Sequence, residues 1–317
     1  MNSRRQFLKT SAATLAGVAL SGPLFAEFYK KKKSVGIQLF TIPALVAADF
    51  KGTLTKLATI GYKEIEFFGP YEFSAKETIE RWNQFAGTLG ITKNAFYGYK
   101  LSEVKTMLKD LGLTTPSVHL DLQTMRTNMG PAMEALSSLG TKYVAIPAIN
   151  NPEDRNDFNK LAEEFNTFGE QMSKYGLTFV YHNHGYEHTP KDGKTLMDTL
   201  LTQTDSKKVK FELDIFWMTA AGANPVDYLT KYPGRFKLLH LKDASEPIRF
   251  SGDGGSVDQW IPLFGKMADP GTGILDIAAI INAAKKSGAE HFYLERDLTP
   301  NPETTLNDSF VYLKGKV

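Results

Sequence analysis

Four of the six histidines, His119, His182, His184 and His240, stand at or just past the end of a short apolar run. Two carboxylates have the same placement: Asp214 interrupts VKFELDIFW near its end, and Glu295 closes HFYLE. In KEIEFF, Glu64 and Glu66 fall on one side of an extended segment, which aims Glu66 inward. Imidazole titrates near neutral pH and ligates metals, so such a cluster suits proton transfer or cation binding. A carboxylate at an apolar strand end costs several kcal/mol unless it is paired or bound to a cation. A cation shared by Asp214, Glu295 and His240 would satisfy all three. A buried salt-bridge network through Lys242 or Arg296 is the other solution. The stretch YHNHGYEH, 181–188, is the densest polar patch. On a strand His182 and His184 share a face, so one can bind the ion while the other serves as acid or base. Tyr181 and Asn183 then face the helical layer or the rim. Glu187 follows in the loop, within reach of the site. The chain has no cysteine, so any ion is held by His, Asp and Glu, which favours Mn²⁺, Zn²⁺, Co²⁺ or Mg²⁺.

These residues need elements that bring them to one place. Eight β-rich runs are visible, at 35–40, 63–68, 115–120, 142–147, 177–183, 209–215, 235–241 and 291–295. Between them, 53–60, 101–111, 131–139, 158–175, 195–201, 225–231 and 274–287 place apolar residues at three- and four-residue spacing. A last helix is expected at 302–313. Gly61, Gly112, Gly140, Gly176 and Gly288 read as helix stops. Strict strand–helix alternation predicts a single-domain (β/α)₈ TIM barrel over 34–317. A doubly wound sheet is the alternative, but no glycine-rich dinucleotide loop follows any strand. In a barrel the C-terminal strand ends form the chemical rim, where His119, His182, His184 and His240 would meet the acids. His291 opens its strand and belongs to the opposite rim. Residues 69–100 and 243–273 are long for such loops. The first carries Phe73, Trp82, Phe85, Phe96, Tyr97 and Tyr99, and the second Trp260 and Phe264. With Trp217, these aromatics are expected either to stack on a ligand or to pack as core and lid.

Composition narrows the class. Hydrophobic residues make up 42% and charged residues 23%, as in a globular protein. The 37 Lys and Arg against 35 Asp and Glu give a net charge of +2, and leaving out Arg4, Arg5 and Lys9 gives 34 against 35, so no nucleic-acid partner is expected. Residues 1–26 read as an export signal: a charged start, an apolar run from Ala12 to Leu20, then Gly22, Pro23 and Ala26. SRRQFLK resembles a twin-arginine signal, which implies a periplasmic or other extracytoplasmic destination. The apolar run is short for a membrane span, so no stable span is expected after signal removal.

VGIQLFT, GYKEIEFF, PSVHLD, YHNHGYE, the block from FELDIFW to HLKD, and PGTGILD together resemble the xylose-isomerase-like barrels, the sugar phosphate isomerase/epimerase group. The resemblance covers essentially all of 34–317. It implies one divalent ion held by Glu, Asp, His and Glu from four strands. Asp214, His240 and Glu295 match the last three. The strand with YHNH has no carboxylate before Glu187, so His182 stands nearest to the first Glu. The implied chemistry is proton abstraction beside a metal-chelated carbonyl and hydroxyl of a sugar. Glu295, His182 and His184 are the expected acid–base groups, and Lys242 would neutralise an oxyanion. Glu66, His119, Trp217 and Glu187 are expected as substrate contacts. Reprotonation would make the chain an isomerase or epimerase. Loss of a β-leaving group would make it a lyase or dehydratase acting on keto-sugars or 3-keto-glycosides. A non-catalytic sugar-binding barrel is the third reading.

Overall fold

The computed structural model describes residues 33–87 and 96–317. The expected leader at 1–26 and residues 88–95 of the long aromatic segment lie outside them, as does the side chain of Phe85. Among the described residues ten strands follow one another: β1 Val35–Gln38, β2 Glu64–Glu66, β3 Ser117–His119, β4 Tyr143–Ile146, β5 Thr178–His182, β6 Val209–Asp214, β7 Phe236–Leu241, β8 Asp243–Ala244, β9 Met267–Ala268 and β10 His291–Leu294. Eight of them form one parallel sheet in the order β2-β1-β10-β7-β6-β5-β4-β3. Parallel bridges from Glu64 to Thr114 and from Phe67 to Val118 join its two ends and close the barrel. β8 and β9 form a separate antiparallel pair above the rim. All eight expected strands are present, trimmed by a residue or two where the chain turns into its loop.

The strands alternate as the barrel requires. Phe179 and Tyr181 of β5 face outward and pack on Phe165 of the helix Phe158–Ser173. Burying an aromatic this way contributes about 1.5–3 kcal/mol. Val180, Leu238 and Tyr293 face inward with Tyr143 and Ala145, as one buried apolar cluster. Each of the first three precedes by two residues a polar group of the rim: His182, His240 and Glu295. The barrel floor is therefore apolar, and the change to polar side chains occurs one layer up. Four of the helices end at the expected glycines Gly61, Gly112, Gly140 and Gly288, the last in the left-handed conformation, whereas the helix Phe158–Ser173 is capped by Lys174, ahead of Gly176. Among the described residues no helix is long and apolar enough to cross a membrane.

The aromatics of 69–100 take the packing role. Phe96 meets Phe67 and Tyr71, Tyr97 and Tyr99 lie against Phe50, and Phe73 stacks on Tyr71. Trp217 is likewise core: it is 1% exposed and stacks on Phe250 at 5.7 Å.

Candidate metal centre

Above the apolar floor, five strands deliver one cage. Nε2 of His119 (β3) lies 2.8 Å from Glu212 and 3.3 Å from Glu66. Nδ1 of His182 (β5) lies 3.0 Å from Oε2 of Glu212. Nε2 of His240 (β7) lies 2.6 Å from Oε2 of Glu66 and 3.2 Å from Oε1 of Glu212. Glu66 comes from β2 and Glu212 from β6. The three imidazoles stand in a triangle, with ring centres 5.1, 5.3 and 4.6 Å apart. Gln38 of β1 donates to Oε2 of Glu66 at 2.9 Å. Oε1 of Glu66 is buried with no hydrogen-bond partner among the described residues.

A second group sits at the rim. His240 turns Nδ1 to Oε2 of Glu295 at 2.5 Å, and Asp214 completes a set of three ligand-type residues. His182 joins loosely, with Nε2 3.8 Å from Oδ2 of Asp214. The structure thus brings Asp214, His240, Glu295 and His182 together, as the sequence led us to expect. It also places the Lys242 ammonium among the acids, 3.0 Å from Asp214, 3.0 Å from Glu295 and 2.9 Å from each oxygen of Asp297. Arg296 turns away to Asp269. Oδ1 of Asp214 accepts from the amides of Phe216 and Trp217, capping the short helix Ile215–Ala220.

Glu187 is not in the cage. Gly185, at φ +107°, turns the chain back, and the Glu187 carboxylate accepts from the amides of His184 and Gly185 and from the Tyr181 hydroxyl. Tyr181 is on the outer face of β5, so Glu187 is tied to the wrong side of the strand for a substrate contact. His184 leaves β5 at the rim and stands between Trp217, 6.0 Å away, and Trp260, 4.8 Å away. Its Nδ1 has no hydrogen-bond partner among the described residues. His291 pairs with Glu64 at 2.8 Å on the opposite rim.

The carboxylates of the cage draw protons onto two of its histidines, and Glu212, Glu295 and Glu66 raise His240 well above its usual value against its burial. Burial opposes charge on His119, but the carboxylates of Glu66 and Glu212 overcome it and lift the imidazole to about 9. Burial would likewise raise Glu212, as does Glu66 beside it, yet the neighbouring histidines hold it at about 2. Burial keeps His182 well below its usual value, hence neutral. Burial and the Lys242 ammonium bring His184 down to about 3. The donor set of imidazoles and carboxylates, in which Oε1 of Glu66, Oε1 of Glu212 and Oδ2 of Asp214 are buried without a hydrogen-bond partner among the described residues, fits a divalent cation.

Outside the cage, His188 offers a separate pH test. Its Nδ1 meets the Tyr228 hydroxyl at 3.2 Å, and burial holds its value near 4 although Asp198 works against this. An unfolded histidine titrates near 6.5. As pH falls below that, the unfolded chain takes a proton that the folded chain refuses until about pH 4. Stability is therefore lost as pH falls through this window, by about 2 kcal/mol at pH 5 from this group alone. Urea unfolding of His188→Gln should show a smaller drop between pH 7 and pH 5 than the parent; an equal drop would refute it.

Glu212, Gln38 and Asp297 are the site members that the sequence reading passed over. The signal for Glu212 was present, because a strand that turns Asp214 inward also turns Glu212 inward.

Comparison with known proteins places these features in a family. Residues 1–21 match the signal sequence of the twin-arginine translocation pathway, so the chain is addressed for export. An inosose dehydratase of Lacticaseibacillus casei is 27% identical over 139 residues, which are 42% of this chain and 44% of that protein. The chain thus spans less than half the length of this curated relative. A sugar phosphate isomerase/epimerase from Parabacteroides distasonis superposes with a TM-score of 0.67 at 24% identity, over 90% of this chain and 95% of that one. The IOLI protein, solved with a zinc atom bound, superposes with a TM-score of 0.59 at 16% identity, over 89% and 96%. At these identities the structures speak for the fold. Residues 54–315 match the family of xylose isomerase-like TIM barrels, and with its eight strands closed around a histidine–carboxylate rim this chain belongs to that family.

Proposed function

We propose that the chain is a metal-dependent enzyme that removes the proton beside a carbonyl of a polyhydroxylated keto compound, and that it returns the proton to give an isomer or epimer. The observation that carries this reading is the convergence of three imidazoles and two carboxylates in one buried cage at the catalytic end of a barrel. A divalent ion held there would polarise the carbonyl and acidify the neighbouring C–H.

The chain's own groups divide the remaining work. Burial disfavours charge on Glu295, but Lys242 and His240 outweigh it and hold the carboxylate ionised, ready to take a proton. His184, neutral and with Nδ1 unpartnered at the rim, is the second proton acceptor. Lys242 balances the charge of the rim acids and lies 5.3 Å from the Trp217 ring centre. Glu66 and His119 line the cage beneath any ligand rather than the walls around it.

The likeness to an inosose dehydratase favours a second reading, in which the abstracted proton is followed by loss of a β-leaving group. Incubation of the metal-loaded protein with ketohexoses, inosose and 3-keto-glucosides in D₂O separates the two. Deuterium at the carbon beside the carbonyl, with a new epimer or isomer, supports the first reading. Release of water or an aglycone supports the second. Saturable binding of a sugar without exchange would overturn both and leave a sugar-binding barrel.

A further inference from the structure

We propose that Glu187 is a positioning residue of this site: its carboxylate fastens the turn that carries His184 and so holds that imidazole at the rim. The proposal rests on the reading of His184 as a proton acceptor and says what keeps it in place.

The chain leaves the sheet just before His184. β5 ends at His182, and Gly185 takes φ +107°, a conformation that glycine adopts without strain. A Cβ there would come within 2.3 Å of Cε2 of Phe250 and 3.1 Å of the Trp217 carbonyl oxygen, so the turn is pressed against its neighbours. Two side chains of YHNHGYEH hold it. Before His184, Asn183 donates from Nδ2 to the Asp214 carbonyl at 3.1 Å, and its Oδ1 accepts from the Asp214 amide at 2.9 Å. This ties the end of β5 to the end of β6. After His184, Glu187 reaches back. Both its oxygens accept from the His184 amide, at 3.0 and 3.1 Å, and Oε2 also accepts from the Gly185 amide at 2.6 Å. His184 is thus clamped on both sides.

The residue used for the second clamp is an expensive one. Glu187 is fully buried, and its partners among the described residues are amides and the Tyr181 hydroxyl, which donates to Oε1 at 2.7 Å. Burial pushes its carboxyl up, against the pull of that hydroxyl and those amides. Closing a turn needs no carboxylate, because an Asn or Ser side chain does so without burying a charge. A carboxylate, however, accepts from several directions at once. Glu187 therefore joins the His184 and Gly185 amides to Tyr181 as one unit. Tyr181 packs on Phe165 of the helical layer, and its hydroxyl meets that of Tyr186 at 2.8 Å. The Tyr186 hydroxyl in turn accepts from the Ile149 amide at 2.8 Å. The turn is anchored in the packed outer layer, and its free end is the His184 ring.

That ring stands among His182, Trp217 and Trp260, with ring centres 5.0, 6.0 and 4.8 Å away, and its Nδ1 has no hydrogen-bond partner among the described residues. Moving the His184 backbone carries Nδ1 with it, and a misplacement of about 1 Å costs about a hundred-fold in rate. Glu187, on the outer side of the strand, acts through His184 and not on the substrate.

Full-length protein labelled with ¹⁵N-histidine provides the test, with its six imidazoles followed by NMR. His184→Gln identifies the His184 ring signal by its loss. In Glu187→Gln that signal should shift, while those of His119, His240 and His291 stay in place. Tyr181→Phe keeps the aromatic packing and removes only the hydroxyl, so it should shift the same signal even if Glu187→Gln does not fold. In the D₂O exchange assay Glu187→Gln should lower kcat about a hundred-fold and leave KM within about twofold. In a His184→Gln background the same change should cost no more than about twofold. An unmoved His184 signal in both variants, or losses that multiply in full in the double variant, overturns the proposal. His184→Gln with the kcat of the parent removes the acceptor role and the proposal with it. A parent that exchanges no deuterium overturns the enzyme reading instead, and the His184 signal still decides whether Glu187 holds that ring.

Discussion

Replacing Glu295 by glutamine should lower turnover of a responsive keto-sugar about a thousand-fold, within the 10²–10⁴ that a positioned proton-transfer group contributes. Glutamine keeps the shape and loses the charge. Oε2 of Glu295 now accepts from Nδ1 of His240 at 2.5 Å and pairs with Lys242 at 3.0 Å. An amide there can neither accept the substrate proton nor hold the His240 tautomer as firmly. Both losses act on the rate, while the buried packing around a residue only 4% exposed is unchanged. The measurement is kcat in the D₂O exchange assay, with the ion content of the same sample. Turnover within about threefold of the parent would remove Glu295 from proton transfer. Loss of turnover together with the ion would make it a ligand instead.

The barrel was legible in the sequence because two periodicities agree at every step. Outward residues such as Phe179, Tyr181, Phe211 and Leu213 make the strands apolar on the helix side, and glycines such as Gly288 mark where several helices stop. The rim residues Asp214, His240 and Glu295 stood out because a charge at an apolar strand end has few other uses. What escaped was depth. Glu212 is one layer below Asp214 on the same strand, and Glu66 and His119 meet it from across the barrel over sequence separations that no local pattern encodes. The dual character of the site escaped for the same reason. A shared cation and a Lys242 salt-bridge network were weighed as alternatives, whereas the structure stacks them, the network at the rim and the cage beneath. Glu187 misled because proximity in sequence to His182 and His184 does not survive the turn at Gly185.

The same difficulty applies to Asp243, whose replacement by alanine should have a large effect on stability although it lies outside the cage. Its side chain is fully buried directly after Lys242. Oδ1 accepts from the amides of Ala244, at 2.8 Å, and Leu275, at 3.0 Å; Oδ2 accepts from those of Gly271, at 2.9 Å, and Gly273, at 3.0 Å. This is what the glycine-rich PGTGILD stretch does: it wraps a carboxylate. A Cβ on Gly273 would come within 2.3 Å of the Ala244 carbonyl oxygen and 2.4 Å of Oδ1 of Asp243, so the loop closes this tightly only with glycine there. Alanine at 243 would leave four amides without their acceptor. An unsatisfied buried donor costs about 1–3 kcal/mol, and partial relaxation of the loop brings the expected total to about 3–5 kcal/mol. For a chain of this size that corresponds to a melting temperature lower by about 5–8 °C. Asp243→Asn should recover at most half of this, because its NH₂ would face two of the donors. The check is urea unfolding of both variants beside the parent, with Zn²⁺ present throughout so that the cage is held constant. A loss below about 1 kcal/mol in Asp243→Ala would show that the loop finds other acceptors and that the carboxylate is not what closes it.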